Sequence, residues 1–254
     1  MLDKISVIHF SPTGGTRKAA LSLARLLAKE VQEADLCDRA AEPRAFSADD
    51  LVLIAGPVYG GRLPGLMRSR LEAFTGNGAV AITAAVYGNR AFEDALLELN
   101  DAAQALGFRV LASAALVAEH SMLRSVAAGR PDAEDARQMG EFAKGILGKL
   151  ETEDYNLPQA VPGGRPYKDW KQMAAVPLAS SECTNCGLCA ETCPAGAISP
   201  DAPEKTDPAK CILCMRCVAV CPNRARALPG QAAAGLAQML SPLIPVRSEN
   251  RLYL

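Results

Sequence analysis

The chain has 254 residues, 49% of them hydrophobic and 22% charged, with a formal net charge of −1. That length suits one large domain or two modest ones, the composition is that of an ordinary globular protein, and a near-neutral chain without a basic run speaks against a nucleic acid partner. No apolar run approaches the roughly 18 residues of a membrane helix, and Met1-Leu-Asp-Lys-Ile-Ser-Val has neither the basic cap nor the apolar core of a signal peptide, so a cytoplasmic protein without a membrane span is expected.

Residues 4–10 read as a short buried strand that runs into Ser11-Pro12-Thr13-Gly14-Gly15-Thr16. From Arg17 to Glu30 the spacing of Ala20, Leu23, Leu26 and Leu27 predicts an amphipathic helix. Strand, Gly/Thr loop and helix form an anion-binding unit. The first turn offers unpaired N–H groups, the glycines let the backbone come close, and the hydroxyls of Ser11, Thr13 and Thr16 donate to phosphate oxygens. The loop has no lysine where a Walker loop needs one and no G-x-G-x-x-G, so neither triphosphate chemistry nor direct oxidation of a nicotinamide is predicted. It resembles the phosphate loop of the flavodoxins, S/T-x-T-G-x-T, with Ser11, Thr13, Gly14, Gly15 and Thr16 on the pattern positions. The plain alternative is a helix-cap turn.

Residues 51–55, Leu-Val-Leu-Ile-Ala, are a continuous apolar run of the kind found in central parallel strands. They lead into Gly56-Pro57-Val58-Tyr59-Gly60-Gly61-Arg62, and a second such strand, Ala79 to Val86, leads into Tyr87-Gly88-Asn89-Arg90. Helical spacing follows each, and the alternation predicts βαβ units in a doubly wound sheet, with ligands at the carboxyl ends of the strands. All three loops then share one rim. Both later loops resemble the ring-binding loops of flavodoxin-family proteins. The resemblance implies FMN bound by Ser11, Thr13, Gly14, Gly15, Thr16, Pro57, Val58, Tyr59, Gly60, Gly61, Tyr87, Gly88, Asn89 and Arg90. Tyr59 would stack on the isoalloxazine, and backbone around Gly60, Gly88 and Asn89 would meet its polar edge. For Tyr59 and Tyr87 the alternative is a half-buried aromatic that fills space.

A fifth strand, Arg109 to Ala118, ends in Glu119-His120 on the same rim. His120 is either a proton relay to the flavin or a loop histidine bonded to backbone; His9, inside the first strand, reads as structural. Cys37 reads as a small buried hydrophobe. A last amphipathic helix, Pro131 to Leu150, closes a first domain over residues 1–150. Residues 151–177, broken by Pro158, Pro162-Gly-Gly, Pro166 and Pro177, read as an extended connector. Its Tyr167 and Trp170 suggest that it lies against a domain surface.

Cys183, Cys186, Cys189 and Cys193, the last followed by a proline, make one C-x2-C-x2-C-x3-C-P run, and Cys211, Cys214, Cys217 and Cys221 repeat it 28 positions on. A zinc site takes four ligands in two pairs, into which two such quartets do not divide, and nine cysteines without a signal peptide fit a secreted disulfide framework poorly. The spacing is the bacterial pattern for cubane iron–sulfur clusters, and the unit over residues 178–230 resembles the two-cluster ferredoxins. That resemblance implies one [4Fe–4S] cluster on Cys183, Cys186, Cys189 and Cys221, and another on Cys211, Cys214, Cys217 and Cys193. Five acids (Glu182, Glu191, Asp201, Glu204, Asp207) balance five bases (Lys205, Lys210, Arg216, Arg224, Arg226) in this unit, which points to a tethered electron partner more than to one steered by charge. Gln231 to Leu240 predicts a short helix, within a tail over 231–254 that has no assigned role.

The whole chain resembles the flavodoxin–ferredoxin fusion proteins of anaerobic metabolism: an α/β, flavodoxin-like doubly wound parallel sheet followed by a smaller α+β two-cluster ferredoxin domain. The resemblance implies an electron-transfer flavoprotein passing single electrons between two [4Fe–4S] clusters and FMN, with a redox protein or a small-molecule acceptor as partner. The alternative is a reductase that acts on a small substrate at the flavin and is fed by the clusters.

Overall fold

The computed structural model describes residues 1–155 and 159–254; Pro158 of the connector lies outside the described residues. The elements are β1 (Leu2–His9), α1 (Gly15–Leu27), β2 (Ala28–Asp35), β3 (Arg44–Ala45), β4 (Leu51–Pro57), α2 (Gly65–Leu71), β5 (Phe74–Thr75), β6 (Val80–Tyr87), α3 (Ala95–Ala105), β7 (Arg109–Val117), α4 (Ala133–Glu151), β8 (Leu178–Ala179), α5 (Leu188–Glu191), α6 (Arg216–Ala219), β9 (Arg226–Ala227), α7 (Gly230–Leu240) and β10 (Arg251–Tyr253).

Apolar runs without alternation belong in strands covered on both faces, and β4 and β6 are buried along almost their whole length. The sheet runs β2-β1-β4-β6-β7-β10. Its first five strands are parallel, and counted among themselves they stand second, first, third, fourth, fifth, the flavodoxin-like doubly wound order. α1 and α4 cover one face, where Leu23, Leu27, Met139 and Phe142 meet Ile5, Val7, Leu53 and Ile82. α2 and α3 cover the other, with Met67, Leu71, Leu96 and Leu99 on Ile8, Ile54 and Val110. Cutting any one of these fully buried leucines back to alanine costs about 2–5 kcal/mol. Among the described residues no helix is long and apolar enough to cross a membrane.

The first helix is shorter than its spacing predicts. α1 stops at Leu27, Ala28 is already extended, and Lys29 and Glu30 belong to β2, whose Ala28 and Glu30 pair with Leu2 and Lys4. Pairing along the sheet edge outweighs the helical preference of Lys and Glu.

The connector lies along the start of α3. Asp94 accepts from Gly164 N at 2.9 Å and Lys168 N at 2.7 Å, Asp101 takes Arg165 and the Tyr167 hydroxyl, and Lys168 pairs with Glu93. The tail crosses back over the first unit and ends in β10, antiparallel to β7, with Arg251 opposite Ala115 and Tyr253 opposite Ser113. Asp135, fully buried, fastens it: the carboxylate meets Arg130 and accepts from Asn250 Nδ2 at 2.9 Å, while Arg130 Nη1 donates to Ser248 O at 2.6 Å.

Candidate functional site

The two cysteine runs fold alike because their backbones do. Asn185, Gly187 and Gly196 take positive φ in the first, and Leu213, Met215 and Arg224, each 28 positions on, do so in the second. Left-handed residues bend each loop around a centre and turn successive N–H groups inward. For Leu213, Met215 and Arg224, which carry a Cβ, the conformation costs of order 1–2 kcal/mol each and persists because the surroundings fix it. Each fourth cysteine accepts from the amide four residues on: Cys193 Sγ from Ala197 N at 3.3 Å and Cys221 Sγ from Ala225 N at 3.2 Å.

The thiols gather in two pits. Cys183, Cys186, Cys189 and Cys221 line one, and Cys193, Cys211, Cys214 and Cys217 line the other. The fourth cysteine of each run thus stands with the first three of the other. The thiols ring a void instead of converging, and among the described residues no three His, Cys, Asp or Glu side chains stand close enough to share a single ion. Soft sulfur donors around a space wider than one atom suit a cubane cluster. Burial pushes the Cys214 thiol up to about 12 and raises Cys211 and Cys217 as well. Loading therefore expels protons from groups that hold them when empty.

The second pit sits against the first unit. Leu213 and Met215, on its wall or beside it, join one apolar cluster with Val126, Leu236 and Leu240. Arg70 clamps the two units by donating to Leu36 O at 2.5 Å and Pro194 O at 2.7 Å, and Gln172 Nε2 donates to Cys211 O at 2.6 Å.

On the rim of the sheet, loops after β1, β4, β6 and β7 enclose a narrow cleft of about 60 Å³ lined by Ser11, Thr13, Gly15, Thr16, Pro57, Val58, Tyr59, Tyr87, Gly88 and His120 among others. It shares Thr13, Gly15, Glu119 and Ser121 with a cavity of about 710 Å³ that reaches Cys221 and Arg224 of the cluster unit and is also lined by Gly14. Gly14 opens α1 at φ +90°, and the amides of the first helical turn have no partner within the helix. Ser11 Oγ accepts from Arg17 N at 2.8 Å. A Cβ on Gly88 would lie 2.5 Å from His120 Cδ2, so the backbone there passes hard against the histidine.

Several expected flavin contacts fall elsewhere. The Tyr87 ring packs on Phe92 at 5.5 Å, with its hydroxyl 3.5 Å from Glu249 O, so its side chain fills space. Asn89 has its side chain occupied by the tail, donating to Val246 O at 2.7 Å and accepting from Ser248 N at 3.0 Å. Arg90 pairs with Glu93 at 3.1 Å, and Gly60 lies under the Trp170 indole, 1.9 Å from where a Cβ would stand. Gly61, at φ +88°, abuts Glu93. None of these last four lines the cleft.

Tyr59 is half-buried in the cleft wall. Burial pushes its hydroxyl up, and the neighbouring Cys214, Cys37 and Cys211 thiols add to the shift. The Cys211 and Cys214 thiols of the second pit are thus within electrostatic reach of the cleft wall. Its loop is held by buried Glu98, which accepts from Arg62 Nε at 2.8 Å, Arg62 Nη2 at 2.9 Å, Leu63 N at 3.0 Å and Arg68 Nη1 at 3.2 Å. His120 Nδ1 accepts from Met122 N and Leu123 N, both at 3.2 Å, and burial, aided by the charge of Arg90, lowers its pKa. A neutral ring with Nε2 carrying the proton follows, which favours the backbone-bonded reading over the relay. Cys37 is buried, its pKa raised by burial, and it accepts from Ser11 N at 3.2 Å.

Residues 182–226 match the 4Fe-4S dicluster domain family. Solved structures similar to the first unit include flavodoxin 1 from Bacillus cereus (15% identity over 57% of this chain and 98% of that one, TM-score 0.42). Fusobacterium nucleatum flavodoxin bound to flavin mononucleotide is also similar (14%, 58% and 99%, TM-score 0.41). The rubredoxin oxygen:oxidoreductase from the anaerobe Desulfovibrio gigas aligns at 15% identity over 59% of this chain but only 36% of its own, TM-score 0.42. No curated protein matches the chain. Strand order, more than these weak overlaps, fixes the architecture: a flavodoxin-like sheet joined to a small ferredoxin-type domain.

Proposed function

We propose that this chain passes single electrons between two [4Fe–4S] clusters and one FMN. The observation that carries the reading is the pair of four-thiol pits with exchanged fourth ligands; Ile212 of the second pit packs on the same apolar cluster as Val58 of the flavin cleft. When bound, a flavin exchanges two electrons in single steps and each cluster exchanges one.

The chain's own residues supply position and electrostatics. Cys183, Cys186, Cys189 and Cys221 would hold one cluster, and Cys193, Cys211, Cys214 and Cys217 the other. Ser11, Thr13, Gly14, Gly15 and Thr16 suit the phosphate, through first-turn amides and hydroxyls at the positive end of α1. Pro57, Val58, Tyr59 and Gly88 suit the ring. The cleft is narrow, about 60 Å³, and adjoins the larger cavity through Thr13, Gly15, Glu119 and Ser121. Arg70 and Gln172 keep the second pit against this rim. The partner at the outer end would be a redox protein or a small-molecule acceptor.

Iron counting after anaerobic loading tests the exchanged ligand sets. Wild type should hold about eight irons and one flavin per chain. Cys183→Ala with Cys221→Ala strikes one pit twice and should leave about four irons, whereas Cys183→Ala with Cys193→Ala strikes both and should leave almost none. The reverse pattern would refute the assignment.

A further inference from the structure

Arg226, on β9, is a cation inside the protein without an ion-pair partner among the described residues. It is 2% exposed, yet it makes no ion pair among the described residues, unlike buried Arg130, which meets Asp135. Its guanidinium donates to neutral acceptors: Pro203 O at 2.5 Å, Pro177 O at 3.1 Å and the Thr206 hydroxyl. Its Nε has no partner. Taking a guanidinium out of water without a counter-charge is unfavourable, so the site calls for negative charge that the polypeptide does not provide.

The thiols show where that charge belongs. Arg226 Nη1 lies 3.7 Å from Cys189 Sγ in the first pit. The same guanidinium bonds Pro177 O and the Thr206 hydroxyl, and both residues line the second pit. One fixed charge therefore reaches both pits, and among the described residues no carboxylate forms an ion pair with it.

We infer that Arg226 is the shared counter-charge of the two cluster sites and raises both reduction potentials together. The inference rests on the two-cluster reading above. An added electron deepens the negative charge beside a fixed positive one, and in a poorly screened interior that attraction favours the reduced form over the oxidised. Arg224, also near the clusters but exposed, is screened by water and has no such hold. Thr206 and the two proline carbonyls act as positioning groups that keep the fork between the pits.

The test is an anaerobic potentiometric titration of the loaded full chain, read by electron paramagnetic resonance. Arg226→Gln should make reduction at both clusters at least tenfold less favourable, a fall of about 59 mV or more for one electron. Arg226→Lys should recover most of the loss, and Arg224→Gln should change either equilibrium less than twofold. If Arg226→Gln fails to take up iron, Thr206→Asp serves instead, because it pairs the guanidinium in place and should depress both potentials likewise. A change below twofold in Arg226→Gln or Thr206→Asp, a shift at one cluster alone, or an equal shift in Arg224→Gln would overturn the inference. Iron content separates the two levels: wild type with well under eight irons per chain defeats the two-cluster reading itself, while full loading with unmoved potentials defeats only the role of Arg226.

Discussion

Replacing Glu98 by alanine should loosen the loop that carries Tyr59, and the structure sets the size of the effect. The Glu98 side chain is 3% exposed and gathers Arg62, Arg68 and the Leu63 amide. Removing one member of a buried charged pair costs about 3–5 kcal/mol. Arg62 is 20% exposed and keeps a bond to Lys168 O at 2.7 Å, so water recovers part of the loss and the lower end, about 3 kcal/mol, is expected. For a chain of this size that is roughly 6–12 °C in melting temperature. Loaded wild type and variant should be melted at one scan rate, since cluster loss accompanies unfolding. The pH dependence adds a second constraint. Burial alone would raise the Glu98 carboxyl, but hydrogen bonds from Arg62 and Leu63 N, with the charges of Arg62 and Arg68, hold it below the usual range. A depressed carboxylate stabilises the fold above its unfolded pKa of about 4.3, and that contribution is lost as pH falls through the lower folded value. The gap between wild type and variant should be full at pH 7 and narrow below about pH 4.3. A difference under 1 °C at pH 7, or one that persists unchanged into acid, would show that Glu98 does not hold the loop.

Asp135→Ala should destabilise by about 3–5 kcal/mol, because it strands Arg130 and removes the anchor of Asn250; limited proteolysis should then cut the tail first, and an unaltered cleavage pattern would count against the tail's attachment there. His120→Gln should leave the pH profile of flavin reduction unchanged above about pH 6.5, since burial holds the wild-type ring's pKa below its ordinary value; a lost inflection in stopped-flow traces would restore the relay. Gly60→Ala, at φ +59° and against the indole, should push Trp170 outward. As the chain has one tryptophan, a red-shifted emission reports the movement directly, and an unshifted spectrum speaks against the contact.

What the sequence discloses is what short stretches of chain decide alone. The cysteine spacings, the Gly/Thr loop before α1 and the apolar runs of β4 and β6 each carry their own geometry, so the sheet and the two quartets are readable in advance. The boundary of α1 is not, because Lys29 and Glu30 become strand only when β1 lies beside them. Asn89 looks like a ring-binding residue until segment 243–248 takes its amide, and Tyr87 until Phe92 meets its ring. Arg226 counts as one of five bases in a balanced unit; only the folded chain turns it inward between two sets of thiols. In each case a partner outside the local pattern decides the outcome: β1 for Lys29 and Glu30, the tail for Asn89, Phe92 for Tyr87, and the first-pit thiols for Arg226.

Because β10 returns to the sheet after the cluster unit has been traversed, that unit is an insertion held at both ends, like a handle on a cup, and not a bead on a string. The β10–β7 pairing at one end, and the connector's bonds to Asp94 and Asp101 at the other, tie the unit to the sheet at two places. Severing the backbone anywhere in 151–177 would leave the C-terminal stem still grafted to β7.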